Sequence, residues 1–170
     1  HEDFRKRIRE FSEKEIEPKA SELDETGKFP FDTMRKLGEM GILGMVVPKE
    51  YGGSGYDTLS YTIAVEETSR VCGSTGITVA AHNSLGVYPI YLFGNEEQKR
   101  KYIPDLASGR KLGSFGLTEP GAGSDSAGTK TTAVRDGDSY VINGGKCFIT
   151  NASVGETFVI TAVTDKTKGY

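Results

Sequence analysis

Apolar residues near the start of the chain recur with a helical period. Phe4, Ile8, Phe11 and Ile16 stand at intervals of three to five among charged neighbours, which predicts an amphipathic helix whose far end is limited by Pro18. Asp32, after Phe29-Pro30-Phe31, is placed to cap a short helix carrying Met34, Leu37 and Met40. Gly41 closes that helix at a position where left-handed backbone is favoured. A short apolar segment, 43–47, leads into the glycine-rich loop 48–55. Asp57 or Thr58 opens a longer helix through Leu59 and Ile63 to Val71, which Gly73 interrupts. A more apolar helix follows from Ser74 to about Tyr88, where Pro89 limits or kinks it. Asn95 and Gln98 have the spacing of a capping box, and the helix they open ends at Gly109.

Beyond Gly109 the period changes from helical to alternating. Strands are expected over 112–118, over 129–135 and at Tyr140-Val141-Ile142, with Asp136-Gly137 as a hairpin turn. After the turn at Asn143-Gly144-Gly145, two more strands are expected, at Cys147-Phe148-Ile149-Thr150 and over 158–163. The fold class is therefore α+β, a helical part followed by a β-rich part. The stretch from Asp165 to Tyr170 reads as a turn leading to a further strand, since a sheet stopping there would leave a long bare edge. The chain lacks an initiating Met and starts within helical pattern, so the sequence is expected to be a segment of a longer protein. An intact mass of 18.4 kDa for the source protein would contradict that.

Composition removes several functions. A net charge of −3 without a basic stripe argues against nucleic-acid binding. No apolar run approaches the roughly 20 residues of a membrane span, and His1-Glu2-Asp3 is too charged for a signal peptide. Cys72 and Cys147 form no C-x-x-C pair and His1 and His82 are the only imidazoles, so a zinc site is not expected and both thiols read as reduced. The sequon Asn151-Ala152-Ser153 reads as a chance match in a chain with no sign of secretion. His82, in its apolar helix, and the tyrosines Tyr88 and Tyr91 read as packing residues first.

The chemistry concentrates in Gly116 to Gly128, where a strand runs into a loop of glycines, hydroxyls and carboxylates. A P-loop would need Lys followed by Ser or Thr, but Gly123 is followed by Ser124-Asp125. A dinucleotide fingerprint would need a third Gly or Ala where Ser126 stands, and a helix afterwards. What remains is a loop whose glycines allow close approach of backbone to a bound group, or an ordinary surface loop.

Residues 116–128 resemble, position for position, a signature of the acyl-CoA dehydrogenase family, and Cys147 to Asn151 resemble that family's second flavin segment. Four further stretches are similar in the same order: Val47 to Gly53, Glu66-Glu67, Asn83-Ser84-Leu85, and Pro89-Ile90 with Phe93-Gly94. The resemblance implies an N-terminal helical domain at residues 1–110, the first part of a β-barrel-like middle domain at 111–170, and a C-terminal four-helix bundle beyond this sequence. It implies FAD as cofactor, contacted by Phe115, Gly116, Leu117, Thr118, Gly123 and Ser124 from the loop and by Phe148, Ile149 and Thr150 from the second segment. Ser124 would also reach the CoA thioester. The family's catalytic base is a glutamate on the bundle, so no catalytic residue is assigned here, and Glu66, Glu67 and Glu119 are expected to be structural.

The implied activity is α,β-dehydrogenation of a short- or medium-chain acyl-CoA, or the reverse enoyl-CoA reduction, most like bacterial short-chain members. Electrons would pass to an electron-transfer flavoprotein. A homo-oligomer, dimer or tetramer, in the bacterial cytoplasm is implied, with the mitochondrial matrix as the alternative. Three alternative functions share these motifs: a flavoprotein oxidase using oxygen, a desaturase acting on a carrier-protein thioester, and a non-catalytic binding module.

Overall fold

A computed structural model describes residues 1–168; Gly169 and Tyr170, where the expected last strand would begin, lie outside them. Seven α-helices precede the described strands: α1 (Glu2–Phe11), α2 (Glu17–Thr26), α3 (Phe31–Glu39), α4 (Thr58–Val71), α5 (Gly73–Ala81), α6 (Tyr88–Phe93) and α7 (Glu96–Ala107). The strands are β1 (Gly113–Gly116), β2 (Thr132–Asp136), β3 (Ser139–Asn143) and β4 (Thr157–Ile160). None of the described helices is long and apolar enough to cross a membrane.

Pro18 does not end its helix, contrary to expectation, and of the two outcomes expected at Pro89, a limit or a kink, the helix does not stop there. Each is the second residue of a helix, α2 or α6, and each is preceded by a wider π-helical stretch, Ser12–Ile16 or His82–Val87. A proline inside regular helix clashes with the carbonyl four residues back and lacks the N–H that would bond it. The extra residue of a π turn relaxes both conflicts, so the chain continues in helix to Thr26 and Phe93. Asp32 is not the cap of α3 either. Pro30 holds that position, and Asp32 in the first turn pairs with Arg35 instead. The other predicted boundaries follow their local chemistry: Asp57 accepts from Ser60 N–H, Asn95 and Gln98 complete a reciprocal capping box, and Gly41 and Gly109 take positive φ after α3 and α7.

One core cluster joins α1, α3, α4 and α5 through Ile8, Met34, Leu37, Ile42, Leu43, Met45, Ala64 and Val79, and it reaches Leu112 at the threshold of β1. Glu67 of α4 is buried at the edge of this cluster. It receives two hydrogen bonds from Arg9 at 2.9 and 2.8 Å and one from Arg5 at 2.7 Å. Asn83 sits in the same interior, accepting from Met45 N–H and donating to the carbonyls of Ile42 and Val79.

The β-rich part comprises two small sheets among the described residues. β2 and β3 form the expected antiparallel hairpin, with Val134 opposite Val141. β1 pairs in parallel with β4, with Phe115 opposite Val159, and both strands are shorter than the sequence suggests. The predicted strand at Cys147 to Thr150 does not form. Phe148 and Asn151 adopt left-handed backbone, with φ of 56° and 65°, which no strand can contain, and the segment turns back beneath β1.

The helical part meets β1 through two glycines. A Cβ on Gly86 would lie 2.7 Å from the Gly113 backbone, and one on Gly113 would lie 2.8 Å from Gly86 Cα. Backbone atoms cannot rotate aside, so Gly86→Ala is expected to push the helix off β1 and lower stability by about 1–3 kcal/mol. Thermal unfolding of the variant measures this. An unchanged midpoint would show that the helix and strand have room to separate.

Candidate functional site

β1 delivers Phe115 and then, where pairing with β4 lapses, Leu117 and Thr118. The turn after Lys146 folds against this exit, because Cys147 N–H donates to Thr118 O at 2.9 Å and Asn151 Nδ2 donates to Gly113 O at 3.3 Å. These bonds hold the left-handed backbone at Phe148 and Asn151 in place. The result is a cavity of about 190 Å³ lined by Phe115, Leu117, Thr118, Phe148, Ile149 and Thr150, with Ala81 and Leu85 from the helical part. Six of the nine residues expected at a cofactor site are thus brought together from two segments about thirty residues apart in sequence.

The other three lie elsewhere. Gly116 is buried on the opposite side, where a Cβ would meet Lys146 and Ile160 at 3.3 and 3.5 Å. Gly123 and Ser124 are exposed beyond a tight reversal in which Glu119 and Ala122 exchange backbone hydrogen bonds. Leu85 and Ala81 were not assigned from sequence. The sequence signal for Leu85 is its place in the family-like stretch Asn83-Ser84-Leu85, which carries no site role by itself; the structure leaves this apolar side chain 43% exposed.

The cavity combines flat apolar surface with donors that have no partner. Among the described residues the hydroxyls of Thr118 and Thr150 and the N–H groups of Leu117, Thr118 and Thr150 make no intramolecular hydrogen bond. Phe148 stands almost free, at 93% exposure. A side chain of that size held outward in left-handed backbone is a feature to be covered. At about 190 Å³ the cavity is smaller than the ~300 Å³ or more of a complete small-molecule pocket, and has the form of one wall of a site. Leu117 also lines a second groove of about 420 Å³, with Ser126, Ala127, Thr129, Thr161 and Asp165. Two concavities therefore share one residue.

Behind the wall lies a buried ion pair. Lys146 Nζ donates to Glu119 Oε1 at 2.8 Å, to Leu117 O at 2.9 Å and to Thr161 Oγ1 at 3.2 Å. Glu119 also accepts from the N–H groups of Lys130 and Thr131. Lys146 above all, with those donors, holds the Glu119 carboxyl at a pKa of about 2. Glu119 and Glu67 are thereby occupied in structure, as expected, and so is Glu66, which pairs with Arg5 at 2.6 Å. His82 is structural as well. It is fully buried, accepts from Gly113 N–H at Nδ1 and bonds Leu106 O through Nε2, and burial lowers its pKa to about 4. Cys72 and Cys147 are free thiols. No cluster of metal-binding side chains occurs among the described residues.

Two family models match the chain: the acyl-CoA dehydrogenase N-terminal domain over residues 1–110 and the acyl-CoA dehydrogenase middle domain over 114–170. A probable acyl-CoA dehydrogenase of Bacillus subtilis is 57% identical over 96% of this chain and 43% of its own length. A short-chain specific acyl-CoA dehydrogenase of Clostridium acetobutylicum is 55% identical over 97% of this chain and 44% of its own. The chain therefore spans less than half the length of these relatives. An acyl-CoA dehydrogenase of Bacillus anthracis, solved in complex with FAD, superposes with a TM-score of 0.91 at 43% identity, covering 97% of this chain and 29% of that one. With both of its parts matched by successive domains of one enzyme type, the chain belongs to the acyl-CoA dehydrogenase family.

Proposed function

We propose that this chain provides the flavin-facing wall and part of the thioester groove of an FAD-dependent enzyme that dehydrogenates a short- or medium-chain acyl-CoA between its α and β carbons, or reduces the enoyl-CoA. The observation that carries this reading is the pair of concavities meeting at Leu117, one of them apolar with unpartnered donors. A flavin calls for a flat apolar surface and a few directed donors, and a thioester beside it calls for a second groove in contact with the first.

Phe115, Leu117, Phe148 and Ile149 would hold the ring of FAD by apolar contact, and the hydroxyls of Thr118 and Thr150 would fix its edge. Gly116 permits the close packing behind the wall. Gly123, with open space around it, and Ser124 would approach the phosphate side, and Ser124 would meet the CoA as well. When bound, FAD supplies an oxidised ring that accepts a hydride. The part of this chain is to bind, orient and keep water from the reacting carbons. Residues 1–110 and 111–170 act as the helical and β-rich domains, and the α-proton is removed by a base that this segment does not contain. A homo-oligomer passing electrons to an electron-transfer flavoprotein, in a bacterial cytoplasm, completes the reading.

The test uses the full-length protein. It is expected to be yellow and to bleach with butyryl-CoA in the absence of oxygen, and a colourless protein that binds no FAD would overturn the proposal. Thr150→Val, which removes one directed hydroxyl, is expected to slow bleaching by roughly 10- to 100-fold, as a charge-assisted hydrogen bond of about 1.5–3 kcal/mol implies. Stopped-flow absorbance measures the rate.

A further inference from the structure

The buried Lys146 does more than neutralise Glu119. Its ammonium contacts Leu117 O, and its partner Thr161 contacts Gly116 O through both the side-chain hydroxyl at 3.3 Å and the backbone N–H at 3.1 Å. The carbonyls of two successive peptides thus converge on one polar cluster. No peptide bond in the described chain is cis, so each of these peptides directs its N–H away from its carbonyl. Those N–H groups belong to Leu117 and Thr118, cavity-lining residues whose N–H groups have no acceptor among the described residues. Lys146 is absent from the lining.

A cation on the carbonyl end of a peptide polarises it and strengthens its N–H as a donor, an effect enlarged in a low-dielectric interior. We propose that Lys146 is a positioning residue that, directly through the Leu117–Thr118 peptide and through Thr161 on the Gly116–Leu117 peptide, makes Thr118 N–H and Leu117 N–H a donor pair for negative charge on the cavity side. The proposal rests on the flavin reading above. Hydride transfer from the β carbon of a thioester to an oxidised flavin brings two electrons and one proton. The ring is then left with one negative charge, which such donors stabilise. Glu119 limits the effect, since its carboxylate offsets the ammonium while its other contacts hold the loop to the backbone at Lys130 and Thr131.

A purely structural pair and a polarising one differ in the sign of their effects. In the full-length protein with FAD bound, Lys146→Met is expected to weaken binding of reduced relative to oxidised flavin about tenfold, lowering the two-electron reduction potential by about 30 mV. Glu119→Gln leaves the ammonium less compensated and is expected to shift the potential upward. Potentials are measured by equilibration against a reference dye, and binding of oxidised FAD is measured separately by fluorescence. Shifts of the same sign in both variants, or no shift in either, overturn the proposal while the parent protein's flavin leaves the reading of function intact. A parent protein without flavin overturns both. Should Lys146→Met fail to fold, the sign for Glu119→Gln decides alone, with a downward or absent shift counting against the proposal.

Discussion

His82→Leu is expected to unfold with about 3 kcal/mol less free energy than the parent protein at pH 8, and the gap is expected to narrow to about 1 kcal/mol at pH 5. The first figure follows from what the imidazole does in the interior. It joins Leu106 O at the end of α7 to Gly113 N–H at the start of β1, both at 3.0 Å. Because Gly113 can only donate, Nδ1 is the acceptor and Nε2 carries the proton. Leucine fills similar space but leaves one buried donor and one buried acceptor unpaired, at roughly 1–3 kcal/mol each, part of which apolar packing offsets. The second figure follows from linkage. The folded pKa, about 4, lies below the ordinary 6.5 because burial opposes the charged ring. The contribution is therefore whole above pH 6.5 and declines by about 1.4 kcal/mol per unit as pH falls toward 4, as the unfolded chain takes up the proton first. Leucine has no such slope. Urea midpoints at pH 8, 6.5 and 5 measure both effects. A parallel pH dependence in parent and variant would show that His82 does not titrate in this way. Since His82 anchors Gly113 and Gly113 begins the strand that presents Phe115, loss of this bridge is also expected to loosen the cavity wall.

Removing the two arginines that donate hydrogen bonds to Glu67 is expected to have the larger effect. Arg5→Met with Arg9→Met leaves a carboxylate whose side chain is 1% exposed, with only Arg70 near it, at 3.4 Å. Losing most of the partners of a buried charge costs about 3–5 kcal/mol, and because the Arg70 pair survives, the loss is expected toward the lower end of that range. The reverse change is milder. Glu67→Gln leaves three arginines, Arg5, Arg9 and Arg70, that are 28%, 49% and 41% exposed and can recover water, so roughly 1–2 kcal/mol is expected. Hydrogen bonding from Arg9 above all keeps the Glu67 pKa at about 2 against an ordinary 4.5. Its stabilisation, about 2–3 kcal/mol after allowance for the arginines' exposure, is whole above pH 4.5 and is lost as pH falls toward 2. The acid sensitivities of His82 and Glu67 thus occupy successive windows, 6.5 to 4 and 4.5 to 2. Chemical denaturation of the two variants side by side tests the asymmetry, and equal losses would contradict it.

Much of this molecule was legible from local chemistry. The capping box at Asn95 and Gln98, the left-handed glycines 41 and 109, and the turn at Asp136-Gly137 depend on residues within a few positions of one another, and each stands where the pattern placed it. The errors share a cause. Local pattern makes Pro18 a helix limit and Pro89 a limit or kink, because the π turns that accommodate them depend on packing, not on a local residue signal. Cys147 to Thr150 has strong strand propensity, but contacts from Thr118 and Gly113 hold it in a turn that propensity alone would reject.

The sequence by itself determined the family, the change from helical to β-rich structure near residue 110, and the two segments that meet at the cavity, because residue identity and spacing carry these directly. Only the tertiary structure decided that Phe148 stands outward in left-handed backbone, that Gly86 and Gly113 bring the helix onto β1, and that Lys146 reaches Leu117 O behind the wall. The physical reason is that these depend on contacts between residues about 27 to 38 positions apart. A hydrogen bond or close approach over such a separation is specified by the packing of whole elements, and no short window of the chain contains it.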